Sequence, residues 1–357
     1  MPISPDPTRY INPTQVAGID PYAFDDGEGR SVRALCVNTG GGLRYRVLVD
    51  RGLDIDQAFF NQHSLAFLTH KGVTPPSRAL DRGADWLKGF PGGLLTSCGP
   101  TYMGAPTKDQ DEELGLHGTH SNTAASLEGV LQPDLRRNRN AMSITGIIRY
   151  GAFYGPCLEL RRTIVSRLGE NVIEITDHFF NAGNMPTPHA WLLHINFGYP
   201  LLDEGAEFCY SAERVEPRQD PRSPEGFRDP AAYKRMPAPR ADEAGTGGIV
   251  AFIYPRAADD GNATVGIVNR NLSLGVAIHY NTNQFPRCGN WQNCATHEYV
   301  AALEPMNGTV YGRDYDRAHG LMDTLAPGQT KTYRYALEVL TGSATEPLLA
   351  LNNSHLP

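Results

Sequence analysis

Apolar and polar residues alternate with a period of two along much of this chain. In residues 331–340, Tyr333, Tyr335 and Leu337 fall on one face, while threonine, arginine and glutamate side chains fall on the other. This alternation predicts a β-strand with one buried face. Similar runs predict further strands near residues 33–38, 43–50, 142–150, 157–165, 171–180, 189–197, 248–254, 263–269, 273–281 and 299–304.

Turn-forming residues separate these runs, and helical patterns are scarce. The chain contains 37 glycines and 27 prolines, which cluster between the strand-like runs and indicate many turns. The best helical candidate covers residues 78–88, where Gly83 lowers the helix propensity. We therefore predict an all-β fold, a sandwich or barrel, rather than alternating strands and helices.

Strand patterning runs along the chain with one irregular interruption. Residues 213–247 contain many prolines and charges, which predict a long surface excursion, and strand patterning resumes on both sides. We therefore expect residues 1–357 to form a single β-sandwich domain, since large all-β domains reach this length.

The composition argues against several classes of protein. Hydrophobic residues make up 40% and charged residues 20% of the 357 positions, which is typical of a soluble globular protein. A net charge of −7 with interspersed signs argues against nucleic acid as a partner. No apolar run approaches the ~20 residues that cross a membrane, and the first residues lack the pattern of a secretion signal. The six cysteines form no CxxC pair, so we expect free thiols and a cytoplasmic protein.

Residues 189–197 place two polar side chains on one face of a strongly apolar strand. With a period of two, His194 and Asn196 project together, and Trp191 and its apolar neighbours face the other way. A buried polar pair needs either internal partners or a ligand. His194 and Asn196 are therefore candidate site residues, and the alternative is a histidine satisfied within the core.

A second candidate is Glu304, which ends the apolar run 299–304 and precedes Pro305. Because proline lacks an N–H group, we expect the strand to stop pairing there and to leave the carboxylate at the rim of a sheet. The alternative is an ordinary surface glutamate at a strand end.

His117 and His120 lie three residues apart in a polar, turn-like segment. They are candidates for catalysis or binding, and the alternative is a pair of solvated loop histidines. A metal site would need further ligands at suitable spacing, which this segment lacks, so we predict no metal. We predict no other cofactor either, because the glycine patterns that bind phosphates or dinucleotides are absent.

Five segments together resemble the galactose mutarotase, or aldose 1-epimerase, superfamily, in particular its poorly characterised aldose-1-epimerase-like branch. They are residues 50–55, 92–99, 116–118 and 194–202 and the late pair Glu304-Pro305, in the expected order. The resemblance implies a β-supersandwich of large antiparallel sheets, with the site on a concave face. It also implies an isomerase that interconverts the anomers of a small-molecule sugar.

The resemblance implies residue roles as well. His194 corresponds to the general acid at the ring oxygen, Glu304 to the general base on the anomeric hydroxyl, and His117 to a residue that binds and polarises the sugar. Lower-ranked candidate sugar contacts are His120, Asn196, Arg51, Asp54 and Trp291. For Arg51 and Asp54 the alternative is a local ion-pair network, and for Trp291 it is core packing rather than stacking on a sugar ring.

Two other functions fit the same residues. An epimerase or lyase of an oxidised sugar or sugar acid would use the histidine and the glutamate to move a proton on carbon, with or without a metal on His117 or His120. A sugar-binding module without catalysis is the second alternative, although such a module has no need of an acid–base pair.

Overall fold

Two large antiparallel sheets dominate the computed structural model, which describes residues 6–218 and 229–353. With strands numbered in chain order, the eight-stranded sheet contains β15 (Glu207–Tyr210), β18 (Asn262–Asn269), β19 (Leu274–Asn281), β23 (Thr330–Thr341), β12 (Val172–Asn181), β11 (Cys157–Arg167), β10 (Ala141–Gly151) and β9 (Ala125–Leu131). The six-stranded sheet contains β16 (Ala212–Pro217), β17 (Ile249–Pro255), β20 (Arg287–Asn293), β21 (Val300–Met306), β14 (Leu192–Phe197) and β6 (Thr96–Cys98).

Smaller elements complete the described structure. A five-stranded sheet contains β1 (Gly18–Ala23), β2 (Arg33–Asn38), β3 (Leu43–Leu48), β4 (Asp54–Phe60) and β5 (His63–Ser64). Two-stranded pairs join β7 (Thr107–Asp109) to β8 (Glu112–Leu114) and β13 (Thr187–His189) to β22 (Asp323–Leu325). The α-helices are α1 (Arg313–Ala318) and α2 (Glu346–Ala350), and 3-10 helices cover Pro13–Gln15, Arg78–Asp81, Asp85–Lys88, His120–Asn122, Leu135–Arg137, Pro230–Lys234, Ala241–Glu243, Gly342–Thr345 and Leu351–Asn353.

The predicted all-β sandwich is confirmed. Each of the eleven strand runs predicted from the sequence overlaps an observed strand. Inner faces of the five-, eight- and six-stranded sheets contribute to one large hydrophobic cluster. Because these sheets share a core, we propose that the chain folds as one domain. None of the helices in residues 6–218 and 229–353 has the length and apolar character needed to cross a membrane.

Three local predictions need correction. The helix expected at 78–88 is two 3-10 helices, Arg78–Asp81 and Asp85–Lys88, because Gly83 takes a positive φ of 49° between them. Strand β21 continues through Pro305, which pairs with Cys288, so Glu304 lies within the sheet rather than at its rim. Proline has no backbone N–H to donate, but its carbonyl can still accept a hydrogen bond and its backbone can still be extended, so it can occupy a position in a strand. The excursion expected at 213–247 includes β16 and two 3-10 helices, and residues 219–228 within it lie outside the described residues.

A fully buried ion pair within the eight-stranded sheet also bonds to residues of the five- and six-stranded sheets. Arg162 on β11 donates from Nε and Nη2 to the two carboxylate oxygens of Asp177 on β12, over 2.7 and 2.9 Å. Its Nη1 donates to Asp54 Oδ1 (2.9 Å), and its Nη2 donates to the hydroxyl of Ser97 on β6 (2.8 Å). Arg162 and Asp177 have no exposed surface, so each charge depends on the other to offset the cost of removing it from water.

The same carboxylate reaches the residue just before β14. Asp177 Oδ2 accepts hydrogen bonds from Trp191 Nε1 (3.1 Å) and from the hydroxyl of Tyr335 (3.0 Å). The pair therefore fixes β6 and the start of β14, neighbouring strands of the six-stranded sheet, against the eight-stranded sheet.

Replacing Arg162 should destabilise the protein strongly. Arg162→Leu leaves Asp177 and Asp54 buried without their cation, and breaking a buried pair in this way costs about 3–5 kcal/mol. The free energy of unfolding, from urea titration, measures the loss. Arg167→Leu is the matched control, because Arg167 pairs with Glu174 at the surface (2.7 Å), where a pair contributes about 0–1 kcal/mol. Equal losses in the two variants would contradict this account.

Candidate active site

His194 and Glu304 meet side by side on neighbouring strands. Strands β14 and β21 pair in antiparallel register with Ile195 opposite Leu303 and Asn196 opposite Ala302, which places residue 194 beside residue 304. His194 Nε2 lies 3.1 Å from Glu304 Oε1. The two residues are only 6% and 3% exposed. Two groups that can each hold a proton therefore touch in a nearly water-free environment.

Aromatic rings and a second histidine surround this pair. The rings of Phe90, His117 and Trp291 lie 5.8, 5.7 and 5.4 Å from the His194 ring, measured between centroids. Trp86 stacks on Phe90 at 4.6 Å and contacts His117 at 4.8 Å. The structure thus brings together His117, His194, Glu304 and Trp291, which lie far apart in the sequence. Sequence analysis missed Trp86 and Phe90, although they directly precede segment 92–99, which carries part of the resemblance.

Burial favours the neutral form of each ionisable group here. It raises the pKa of Glu304 to about 8. It lowers the pKa of His194 to about 4, an effect that the neighbouring Asn196 side chain partly offsets. Between these two values the His194–Glu304 pair holds one proton, which either residue can donate and the other accept.

The backbone of Gly104 holds the ring of His117 in one tautomer. His117 has a left-handed conformation with φ of 60°, which costs about 1–2 kcal/mol for a side-chain-bearing residue. Its N–H donates to Gly104 O (3.0 Å), and the Gly104 N–H donates to His117 Nδ1 (3.4 Å). Burial, and then the charge of a protonated His194, lower the pKa of His117 to about 3. A neutral ring that accepts at Nδ1 carries its proton on Nε2.

His120 and Asp54 lie in the interior and bond to other parts of the protein, and their role as sugar contacts stays a prediction. His120 is fully enclosed, with Nδ1 2.5 Å from the hydroxyl of Tyr150. Asp54 accepts from Arg162 and from the Ser97 N–H (3.0 Å). The pKa of Asp54 is lowered because the favourable effects of His120, Arg162 and Ser97 exceed the cost of burial. Their observed partners place both residues in the network that joins the sheets.

Arg51 and Asn196 also form hydrogen bonds within the protein. Arg51 Nη2 donates to Gly89 O (2.8 Å), so the guanidinium holds the loop that presents Phe90. The alternative of a local ion-pair network is wrong, because Asp50 pairs with Arg33 and Asp54 with Arg162; a role of Arg51 as a sugar contact stays a prediction. Asn196 Nδ2 donates to Gly93 O (2.9 Å) and to His194 O (3.0 Å). Asn196 therefore fixes the backbone of His194 through a side chain on the same face of β14.

Trp291 is fixed in orientation at the edge of this cluster. Its Nε1 donates to Gly247 O (2.9 Å), and its indole meets the His194 ring at 73°. Trp291 is partly exposed, so one side of the indole remains available to a flat ligand. In residues 6–218 and 229–353, no cluster of three or more histidine, cysteine, aspartate or glutamate side chains could bind a metal ion.

Comparison with solved structures places this architecture in a known class. The chain superposes on a candidate aldose 1-epimerase from Klebsiella pneumoniae subsp. pneumoniae with a TM-score of 0.84, 23% identity, and coverage of 94% of this chain and 86% of that one. It is also similar to a galactose mutarotase-like protein from Clostridium acetobutylicum, with a TM-score of 0.63, 11% identity, and coverage of 92% of this chain and 100% of that one. A galactose 1-epimerase from Lactobacillus acidophilus superposes with a TM-score of 0.58, 11% identity, and coverage of 91% of this chain and 99% of that one. The fold is that of the galactose mutarotase-like proteins, which confirms the resemblance seen in the sequence.

Within that class the chain belongs to a family described as a domain of unknown function, DUF4432, whose model matches residues 29–339. No curated protein matches the chain significantly.

Gly289 determines where the Glu304 carboxylate can lie. Gly289 pairs with Glu304 across β20 and β21, and a Cβ at position 289 would lie 2.8 Å from Glu304 Oε2. We predict that Gly289→Ala pushes the flexible carboxylate away from His194 and costs about 1 kcal/mol or less in stability, the low end for added core volume. The ¹⁵N resonance of His194 Nε2 and urea unfolding measure the two effects.

The control for this variant is Gly129→Ala on β9, where an added Cβ meets no atom within 4 Å. An Nε2 resonance that moves in neither variant would show that Gly289 does not position the carboxylate.

Proposed function

We propose that this protein is a sugar mutarotase, an isomerase that interconverts aldose anomers by proton transfer through His194 and Glu304. The observation that carries the proposal is the buried 3.1 Å contact between His194 Nε2 and Glu304 Oε1. Ring opening removes a proton from the C1 hydroxyl and adds one to the ring oxygen. Because both oxygens are bonded to C1, a donor and an acceptor this close together can serve them simultaneously.

The resting protonation of the pair suggests the order of events. Burial places the shared proton on Glu304, so ring opening starts with Glu304 donating to the ring oxygen while His194 accepts the anomeric proton. The resemblance implied the opposite assignment for ring opening, with His194 at the ring oxygen and Glu304 at the anomeric hydroxyl. Ring closure on the other face of C1 reverses both transfers: His194 returns a proton to the carbonyl oxygen, and Glu304 takes the proton of the ring hydroxyl. Each residue therefore acts in both roles during one exchange.

The surroundings of the pair suit a sugar. The partly exposed Trp291 and the Trp86–Phe90 stack offer aromatic surfaces to the C–H faces of a pyranose. We propose that His117 donates from Nε2 to a sugar oxygen and that Trp291 stacks on the ring. Similarity to proteins named for aldose 1-epimerase and galactose 1-epimerase activity supports this class of substrate.

Conservative substitutions of the pair test the proposal. Glu304→Gln keeps the shape and hydrogen bonding of the side chain but cannot transfer a proton, so anomer exchange should fall by ~10²-fold or more with little change in sugar affinity. His194→Asn should depress exchange similarly. Saturation-transfer NMR across aldoses, deoxy sugars and uronic acids measures the exchange.

The chain contains a matched control for these variants. His279 and Glu338 form the same kind of pair on the outer face of the eight-stranded sheet, with His279 Nε2 3.0 Å from Glu338 Oε2 and both side chains exposed. Glu338→Gln and His279→Asn should leave exchange unchanged. Full exchange in Glu304→Gln and His194→Asn would reject this site, and absence of exchange in the native protein would favour a binding module.

The rate of anomer exchange should have a bell-shaped dependence on pH. Below about pH 4, protonated His194 leaves the pair without an acceptor, and above about pH 8 the loss of the Glu304 proton leaves it without a donor. We therefore expect kcat/KM for anomer exchange to be highest between these values and to fall on both sides. In Glu304→Gln, the low rate that remains should not fall above pH 8, because the variant has no carboxyl group to lose a proton. A native profile that still rises above pH 9 would contradict a buried, protonated Glu304.

A further inference from the structure

His117 adds a third functional group to a reaction that needs only two. Anomer exchange requires one proton donor and one acceptor, and the His194–Glu304 pair supplies both. His117 lies 5.7 Å from His194, between ring centroids, and its tautomer is locked with the proton on Nε2 by the Gly104 backbone. Among the described residues, no hydrogen bond uses that Nε2 proton. The site therefore holds a neutral imidazole donor with no acceptor of its own.

A neutral imidazole donor is suited to stabilising an oxyanion next to a carbonyl carbon. An imidazole that stays neutral can polarise a carbonyl and support the enolate that forms when a neighbouring carbon loses a proton. The open-chain aldose has such a carbonyl at C1 and an acidic hydrogen at C2. The buried Trp86 and the partly exposed Phe90 beside it limit the access of water that would compete for the oxyanion.

We infer that the same site also exchanges the C2 hydrogen of the open-chain aldose through an enediolate stabilised by His117. The inference rests on the proposed function, because ring opening supplies the aldehyde. When Glu304 has given its proton to the ring oxygen, it is a carboxylate beside that aldehyde. Its carboxylate then takes the C2 proton, the C–H electron pair forms the C1=C2 bond, and the carbonyl π pair moves to O1.

The oxyanion at O1 accepts a hydrogen bond from His117 Nε2. Return of the proton to C2 regenerates the aldose, and deuterium enters C2 when the Glu304 carboxyl has exchanged its proton with D₂O first. Delivery to C1, together with transfer of the O2 hydroxyl proton to O1, gives the isomeric 2-ketose. No oxidant, reductant or second substrate is consumed, since substrate and product are isomers.

Deuterium labelling separates this reaction from anomer exchange. The native protein is incubated in D₂O with D-glucose, D-galactose, D-mannose, L-fucose, L-rhamnose or D-glucuronate. Proton NMR follows both reactions in one sample: saturation transfer reports anomer exchange, and collapse of the H1 doublet reports deuterium at C2. We expect C2 deuteration of at least one sugar that also exchanges anomers, at a lower rate than the exchange itself.

Two substitutions at position 117 identify the donor. His117→Asn tolerates the left-handed backbone and keeps an atom near the Nδ1 position, but it removes the Nε2–H group. It should reduce C2 deuteration by about 10²-fold, the effect of losing one oxyanion donor, and reduce the ratio of C2 deuteration to anomer exchange at least tenfold. His117→Gln, whose amide can reach the Nε2 position, should recover part of that ratio. His178→Asn is the matched control, since His178 lies exposed on the outer face of β12.

The outcomes distinguish the two proposals. Anomer exchange without C2 deuteration in the native protein would overturn this inference and leave the mutarotase proposal intact. An unchanged ratio in His117→Asn would also overturn it, because the enediolate would then not depend on His117. Absence of both reactions with every sugar would reject the proposed function and this inference together.

Discussion

The buried pair of Arg162 and Asp177 is the interaction on which the arrangement of the site depends. An arginine with no exposed surface is stable only where carboxylates and other acceptors satisfy its donors, and Asp177, Asp54 and Ser97 do so. These partners belong to all three larger sheets. The requirement to satisfy one guanidinium therefore sets the distance between the sheets and fixes the strands β6 and β14, the latter carrying His194.

Register between β14 and β21 then creates the acid–base pair. Side chains alternate between the faces of a strand, so a slip of one residue would turn His194 into the core and separate it from Glu304. Gly289 leaves the space in which the carboxylate lies, and the aromatic cluster removes water from the pair. Burial disfavours the charged form of each group. It therefore raises the pKa of the Glu304 carboxyl above neutral pH and lowers the pKa of the His194 imidazole below it.

Much of the fold and the central pair could be predicted from the sequence, whereas the supporting residues could not. Period-two patterning predicted the strands that have one buried face, and the resemblance pointed to His117, His194 and Glu304. Strand β20 was missed because its polar residues are buried: Asn290 and Gln292 both donate to Tyr233 O, a partner distant in sequence. The internal partners of Arg51, Asp54 and His120 could not be predicted, because a polar side chain in a turn does not reveal which distant group satisfies it.

By itself, the sequence determined the eleven strands with clear apolar patterning and which side of β14 is polar, because both depend on local alternation of side chains. It also carried the set of motifs that identifies the superfamily. Tertiary structure alone decided that His194 meets Glu304, that Trp86 and Phe90 enclose them, and that Arg162 is buried rather than exposed. Those features depend on strand register and on the removal of water, which arise only when segments far apart in the chain pack together.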